Sequence, residues 1–320
     1  MIIGIDDTGT VVEGEPFIAS VIFIRPSQFN NLIVNFKRWE KLTRKEIPSN
    51  PAEIKSTHLT DKMYRDFIKK IILNPQHPIH YRGFMINTDA SMLKHAEKQK
   101  ARYITQYEAA IKDAEKDGRT KWAKQAKTLT GWIRKTPNGL VLKMGILNKA
   151  IPDAIVNAIG FSVVNDFDNE LGDLIVEIDE GFIKDKAIDF WKEILRSNII
   201  STTASNPIPH IDTWTDEHPF IKTFYQETHG KFVVLSPEFS RRINFYQSSD
   251  SVAVRIADIV AGIMRKKYLY GWDDAILNEL QGNVSENGKA MVEINFTDNW
   301  DIPPEPNPYD LISLDKEESR

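Results

Sequence analysis

Four carboxylate side chains lie within or beside apolar runs of the sequence, where an ionised group needs a partner. They are Asp6, Glu53, Asp179 and Asp258. A buried carboxylate without a partner is costly, so each requires a cation, hydrogen bonds or a raised pKa. Taken singly, each also fits a turn or a structural ion pair, such as Asp258 with Arg255. Taken together they favour a hard divalent cation, because Mg²⁺ takes oxygen ligands.

The hydrophobic pattern indicates which elements position these residues. Two apolar, β-branched runs separated by Thr8-Gly9 predict an N-terminal hairpin, with Asp6 at the end of its first strand. Further strands are predicted over residues 79–87, 174–179, 232–235 and 243–247, and helices over residues 27–42, 64–73, 186–196 and 251–268. Helical spacing places Asp258 on or beside the packed face of the last helix, for which Ser249 or Asp250 is the expected N-cap.

The composition changes between residues 89 and 159, where Ala, Lys, Gln and Glu predominate and strand patterns are rare. These residues favour helices, and the sequence predicts two or three of them, broken near residues 117–118 and 137–139. The expected architecture is an α/β core formed by residues 1–88 and 160–297, interrupted by an all-helical insertion. Residues 298–320 form an acidic, proline-containing tail with too few apolar groups to fold alone.

Four short motifs occur in a fixed order along this core. They are Asp6-Asp7-Thr8-Gly9, Glu53-Ile54-Lys55, Val176-Glu177-Ile178-Asp179 and the Ala-Asp-aliphatic-aliphatic-Ala-Gly segment Ala257 to Gly262. In this order they resemble the domain-of-unknown-function family 3800, which is similar to ribonuclease-H-like nucleases and integrases. The resemblance implies a mixed five-stranded sheet, with three antiparallel strands, flanked by helices. The sequence departs from it at Arg255, where glutamine is common, and at Asp7, where glutamate is usual.

The resemblance also implies a two-metal site for Mg²⁺ or Mn²⁺, with Asp6, Glu53, Asp179 and Asp258 as ligands and catalytic residues. Two such cations can activate a water molecule and stabilise a leaving oxygen in phosphodiester hydrolysis. Lys55 would contact the scissile phosphate or pair with Glu53. Only one of Asp6 and Asp7 can face the site, because neighbouring strand residues point to opposite faces. Glu177 shares the face of Asp179 and is a candidate to support the metal ligands indirectly.

The insertion is strongly basic, although the whole chain is not. With 41 basic and 45 acidic residues the net charge is −4, yet residues 94–149 hold 14 basic and five acidic residues. This segment is therefore +9 and the remainder −13. Such charge would bind a phosphate backbone, and tryptophans could stack on bases or pack inward. The candidates for contact with DNA or RNA are Lys121, Lys124, Lys127, Arg134, Lys135, Trp122 and Trp132.

Composition excludes several other classes of protein. The absence of cysteine rules out disulfides, thiolate metal sites and a cysteine nucleophile. No run approaches the about 18 apolar residues of a membrane span, and the N-terminus lacks signal-peptide features, so we expect a cytoplasmic protein without membrane contact. The sequence thus predicts a metal-dependent nuclease. The alternative is a nucleic-acid-binding or regulatory module without catalysis, and the sequence leaves the oligomeric state open.

Overall fold

The computed structural model describes residues 1–280 and 291–293, apart from residues 10, 12, 13, 15, 206, 207, 210, 229–231 and 236. Its strands are β1 (Ile2–Thr8), β2 (Pro16–Ile24), β3 (His80–Asn87), β4 (Ile175–Asp179), β5 (Ile208–Pro209), β6 (Tyr225–Thr228), β7 (Phe232–Leu235), β8 (Ile243–Tyr246) and β9 (Met291–Glu293). The acidic tail, residues 298–320, lies outside the described residues.

The helices follow the same chain order. They are α1 (Phe29–Glu46), α2 (Asp61–Phe67), α3 (Ala90–Lys116), α4 (Thr120–Lys135), α5 (Asn138–Val164), α6 (Ile188–Ser205), α7 (Pro219–Phe224), α8 (Pro237–Ser240), α9 (Val252–Tyr270) and α10 (Ile276–Glu279). Within the described residues, no helix is both long and apolar enough to span a membrane.

The main sheet is mixed and has the strand order β8-β4-β1-β2-β3-β9. Strands β1, β2 and β3 are antiparallel, and β4 and β8 join β1 in a parallel arrangement. The α/β class is confirmed, but the expected number of five strands is wrong, since β9 adds a sixth strand parallel to β3. Three residues are too few for a recognisable two-residue period, and this explains why the sequence did not predict β9. Strand β7 belongs to a separate three-stranded sheet with β5 and β6.

The two faces of the main sheet are covered by different helices. On one face, Ile3, Ile5 and Phe17 belong to a hydrophobic cluster shared with α3, α4, α5 and α6. On the other, Ile2 and Ile18 pack in a second cluster with α1, α2 and α9. The alternation follows from the strand pleat, which sends successive side chains to opposite faces. Each side chain of β1 therefore faces one of the two helical layers.

The helical insertion, α3 to α5, packs on the sheet face that carries Ile3, Ile5 and Phe17. Helix α3 packs against both α4 and α5, and α5 contacts β2 and β3. The buried Arg82 of β3 binds Asp153 of α5 at 3.1 Å, which fixes the insertion to the sheet. The predicted helix breaks are confirmed, because Gly118 has a positive φ of 76° and Pro137 immediately precedes α5.

Candidate active site

The first component of the site is Asp6 near the end of β1. Its side chain is 4% exposed and lies on the sheet face that carries α9. On the same face, a Cβ added to Gly4 would come within 2.7 Å of the carbonyl oxygen of Ala253, so the glycine permits α9 to approach the strand. Ser20, opposite Asp6 on β2, donates to the carbonyl of Ala257 at 2.6 Å. The helix is thereby held against the strand that carries Asp6.

The second component is Asp258 of α9, which is 7% exposed. Its carboxylate accepts two hydrogen bonds from Ser56, one from the backbone N–H and one from the hydroxyl, both at 2.9 Å. A Cβ at Gly262 would lie 2.5 Å from the Cβ of Ser56, so this small residue lets the segment around Ser56 reach the helix. The prediction that Asp258 lies on the packed face is confirmed. Its partner is Ser56, whereas Arg255 pairs with Glu40.

The third component is the pair Glu53 and Lys55, which precedes Ser56. The Lys55 ammonium binds the Glu53 carboxylate at 2.8 Å and donates to the Ser248 hydroxyl at 2.6 Å. Burial alone lowers the pKa of Lys55, but Glu53 and the charges of Asp258 and Asp6 outweigh that effect and raise it. Lys55 is therefore an ion-pair partner of Glu53, one of its two expected roles, and also a positive charge among the carboxylates.

The fourth component is Asp179 at the end of β4. Strand β4 pairs with β1 in parallel, with Ile178 opposite Ile5, so the chain places Asp179 beside Asp6. Burial raises the pKa of Asp179 to about 6, with Asp7, Glu53 and Asp258 adding to the effect and Lys55 opposing it. The ends of β1 and β4 thus place Asp6 and Asp179 in the same region.

The charges of these carboxylates influence one another's pKa values. Burial raises the pKa of Asp6 well above its ordinary value of 3.8, and the charges of Asp179 and Asp258 raise it further. The pKa of Asp258 is raised by burial and by Glu53, against the bonds from Ser56 and the charge of Lys55. Like charges held together in a partly dry region disfavour their own ionisation. The region therefore carries more negative charge than Lys55 alone balances.

The carboxylates do not form a closed coordination shell. Across the described part of the chain, no group of three or more His, Asp or Glu side chains is close enough to hold a metal ion. The donor chemistry suits a hard cation, because carboxylate oxygens are the ligands that Mg²⁺ and Mn²⁺ prefer. Binding such an ion therefore requires the carboxylates to move towards one another.

The strand pleat distinguishes Asp6 from Asp7. Asp7 faces the insertion, where its carboxylate binds the ammonium of Lys143 on α5 at 3.0 Å. Burial raises the pKa of Asp7, while Lys143 opposes the shift. Asp6 shares the α9 face with Asp258 and Asp7 does not, so Asp6 is the better placed of the two to act as a ligand.

Glu177 has a structural contact of its own. Its carboxylate accepts from the Ser251 hydroxyl at 2.5 Å, and that hydroxyl also accepts from the N–H of Val254 at 3.0 Å. Ser251 is therefore the N-cap of α9, and the expectation of Ser249 or Asp250 is wrong. Those two residues belong to a three-residue 3₁₀ turn, Ser248–Asp250, before the helix. Glu177 orients the start of the helix that carries Asp258.

Two cavities flank the carboxylates. One, of about 610 Å³, is lined by Thr8, Ser56 and Arg265 among others. The other, of about 470 Å³, is lined by Lys55, Asp179 and Ser248 among others. The segment 55–57 separates them, since Lys55 lines one cavity and Ser56 the other. Sequence reasoning missed Ser56, Ser248 and Arg265, because nothing local in the sequence indicates their long-range contacts.

The basic insertion lies in another layer. The five cations proposed to contact nucleic acid are exposed on α4: Lys121, Lys124, Lys127, Arg134 and Lys135. Part of this charge is neutralised by α3, since Lys127 binds Glu115 at 2.5 Å and Arg134 binds Glu108. Trp132 is 41% exposed, but Trp122 is 3% exposed and packs in the core, so only Trp132 is available for stacking. Helix α4 belongs to the layer opposite α9, so the basic surface does not share a face with Asp258.

Comparison of the chain with family models, with curated proteins and with solved structures gave no match in any of the three searches.

Proposed function

We propose that this chain is a divalent-metal-dependent nuclease of ribonuclease-H-like fold that hydrolyses phosphodiester bonds in DNA or RNA. The observation that carries the proposal is the position of Asp6, Asp179 and Asp258 at two adjacent strand ends and on the facing helix. In this region the charges of Asp179 and Asp258 add to burial in raising the pKa of Asp6. A cluster of carboxylates with one nearby ammonium is costly when all of them are ionised, and a bound cation would offset that cost.

The sheet supports the fold part of the proposal. The resemblance to domain-of-unknown-function family 3800 implies a mixed sheet of five strands, three of them antiparallel. Five of the six strands of the main sheet are consistent with this arrangement. Asp6, Asp179 and Asp258 also lie in the expected elements, at two strand ends and in the last long helix. Fold likeness alone does not establish an activity, so the proposal depends on the site and not on the sheet.

The side chains divide the work as follows. Asp6, Glu53, Asp179 and Asp258 would hold Mg²⁺ or Mn²⁺, which activates water and stabilises the leaving oxygen when bound. Ser56 fixes the orientation of Asp258 through two hydrogen bonds. To act as a ligand, Glu53 would have to give up its ion pair with Lys55. The Lys55 ammonium, which also donates to Ser248, would then be able to bind a phosphate oxygen.

The nucleic-acid partner is supported by the exposed cations of α4, which would contact the phosphate backbone at a distance from the reactive bond. Such contacts position a substrate without reading its sequence. A substrate that spans both layers must be longer than the few nucleotides that the site itself can hold. A location in the cytoplasm is part of the same proposal.

The test is cleavage of labelled single-stranded and duplex DNA and RNA in Mg²⁺ or Mn²⁺. We expect cleavage that stops in chelator and in Asp6→Asn, Asp179→Asn and Asp258→Asn. Glu170→Gln is the matched control, because this carboxylate binds Arg25 beside the N-terminus, at the opposite end of β1. Activity that persists in Asp179→Asn and Asp258→Asn contradicts the site assignment.

A second candidate is a nucleic-acid-binding module without catalysis. The observation in its favour is that the described carboxylates do not form a ready coordination group. Metal titration separates the two, because a ligand that binds only the folded state raises its stability. Mn²⁺-dependent stabilisation that is lost in Asp258→Asn favours the enzyme, whereas nucleic-acid binding indifferent to metal favours the module.

A further inference from the structure

The cavity of about 610 Å³ adjoins the acidic region but has a different character. It lies between the end of β1, the segment 56–59 and the last turns of α9, and its volume is within the usual range for small-ligand sites. Ser56 belongs to both regions, since it lines the cavity and donates two hydrogen bonds to Asp258. A ligand in the cavity would therefore lie next to that carboxylate.

The wall formed by α9 carries Arg265, for which the described part of the chain supplies no acidic partner. Within the described residues, no carboxylate forms an ion pair with Arg265, whose Nε donates to the Tyr270 hydroxyl at 3.2 Å. Lys266, the next residue, is bound to Asp61 at 2.6 Å. Among the described residues, no carboxylate therefore offsets the charge of the Arg265 guanidinium, and Thr8 and Thr57 line the same cavity. A guanidinium among hydroxyl donors is suited to a phosphate group.

The rim of the cavity carries an exposed aromatic ring. Tyr270 is 68% exposed, and the Arg265 guanidinium lies 5.8 Å from its ring centre. The ring hydroxyl accepts the bond from Arg265, and α9 ends directly after Tyr270, with Gly271 in the left-handed conformation and its N–H bonded to the Lys266 carbonyl. A solvent-facing ring beside a guanidinium has the two features that bind a nucleotide, a stacking surface and a charge.

We propose that this cavity binds one unpaired nucleotide of the substrate, with its phosphate at Arg265 and its base on Tyr270, directly beside the bond that Asp258 helps to cleave. The proposal rests on the proposed nuclease function and narrows it. A base can stack on Tyr270 only when it is free of its pairing partner, so the substrate is single-stranded or frayed at the site. The cavity of about 470 Å³ beyond segment 55–57 would accommodate the nucleic-acid strand on the other side of the reactive bond.

The experiment measures binding of adenosine monophosphate to the full chain in chelator, by calorimetry or by nuclear magnetic resonance shifts. We expect saturable binding that weakens about tenfold in Arg265→Gln and in Tyr270→Ala, and that persists in Tyr270→Phe, because the lost contacts are one charged hydrogen bond and one stacked ring. Lys267→Gln is the control, since Lys267 lies on the same helix but contacts Tyr268 and does not line the cavity. Adenosine, which lacks the phosphate, should bind weakly and should not respond to Arg265→Gln.

Two outcomes overturn the proposal. One is the absence of saturable binding, and the other is binding that Arg265→Gln and Tyr270→Ala leave unchanged. Because the measurement is made without metal, it is independent of catalysis. Nucleotide binding that depends on Arg265 in a chain that cleaves nothing would retain the cavity and refute the nuclease, whereas cleavage by a chain that gives either of these two binding results would retain the nuclease and refute the cavity.

Discussion

Replacing Asp179 with asparagine should stabilise the metal-free protein at neutral pH. The carboxyl has a folded-state pKa of about 6 against an ordinary value of 3.8, mainly because it is buried. The folded state therefore binds this proton more tightly than the unfolded state, and ionisation opposes folding. Stability from this group is present below the unfolded pKa and is lost as the pH rises through about 6. The Asp179→Asn substitution would remove that loss.

The size of the effect follows from the difference between the two pKa values. A difference of about 2 corresponds to about 3 kcal/mol above pH 6. Asp179 is half-buried, so solvent screens part of this amount and we expect a gain of about 1–2 kcal/mol at pH 7.5. Roughly two thirds of the loss accrues between pH 4.5 and 7.5, so the gain should be much smaller at pH 4.5.

The assay is urea unfolding of both proteins in chelator at the two pH values, repeated with Mn²⁺. Mn²⁺ at about 100 times its Kd should add about 2.7 kcal/mol to the unsubstituted protein and much less to Asp179→Asn. Asp274→Asn should show the opposite sign at pH 7.5, because a hydrogen bond from Arg65 holds the pKa of Asp274 below its ordinary value. If Asp179→Asn destabilises the protein equally at both pH values, the carboxylate is a structural partner and the reasoning fails.

Two further predictions concern the packing of α9 and the basic surface. Gly4→Ala should destabilise the protein by about 1–3 kcal/mol in urea unfolding, because the new methyl group would lie 2.7 Å from a backbone oxygen of α9. The control is Gly131→Ala in α4, whose methyl group meets nothing within 4 Å and should be neutral or stabilising. Equal effects of the two substitutions would contradict the close approach of α9 to β1. Charge reversal on α4 should weaken DNA or RNA binding and flatten its dependence on salt, since fewer counterions are released, and an unchanged salt slope would remove α4 from the interface. The substitutions are Lys121→Glu, Lys124→Glu and Lys127→Glu.

Much of the site could be predicted from sequence because its carboxylates are exceptions to local patterns. Asp6 and Asp179 end apolar runs, which is where parallel neighbouring strands bring their last residues together. Asp258 interrupts an apolar helical face, and its spacing alone placed it towards the sheet. A charged residue at a position where the periodic pattern predicts an apolar one is a candidate site residue even before the fold is known.

The partners of these carboxylates could not be predicted in the same way. Ser56 and Asp258 are 202 positions apart, and Lys143 and Asp7 are 136 apart. Such contacts depend on tertiary packing, and no local spacing indicates them. The prediction of the N-cap of α9 was wrong for a related reason. Ser249, Asp250 and Ser251 are all residue types that suit an N-cap, and the residue that forms the cap, Ser251, also binds Glu177 of the distant strand β4.

If the chain is the proposed nuclease, its distribution of charge assigns different cations to different parts of the substrate. Helix α4 carries five exposed lysine and arginine side chains among the proposed contacts, yet it lies in the layer opposite α9, and α3 neutralises part of its charge. Arg265 and Lys55 are fewer, but they line the two cavities on either side of segment 55–57, beside the carboxylates. Electrostatic interactions weaken with distance and are screened by salt, so in the proposed nuclease Arg265 and Lys55 would act on the phosphates next to the reactive bond more strongly than α4 does. If the proposal is right, substitutions on α4 should change the affinity for long substrates, whereas substitutions at Arg265 and Lys55 should change the reaction of short ones as well.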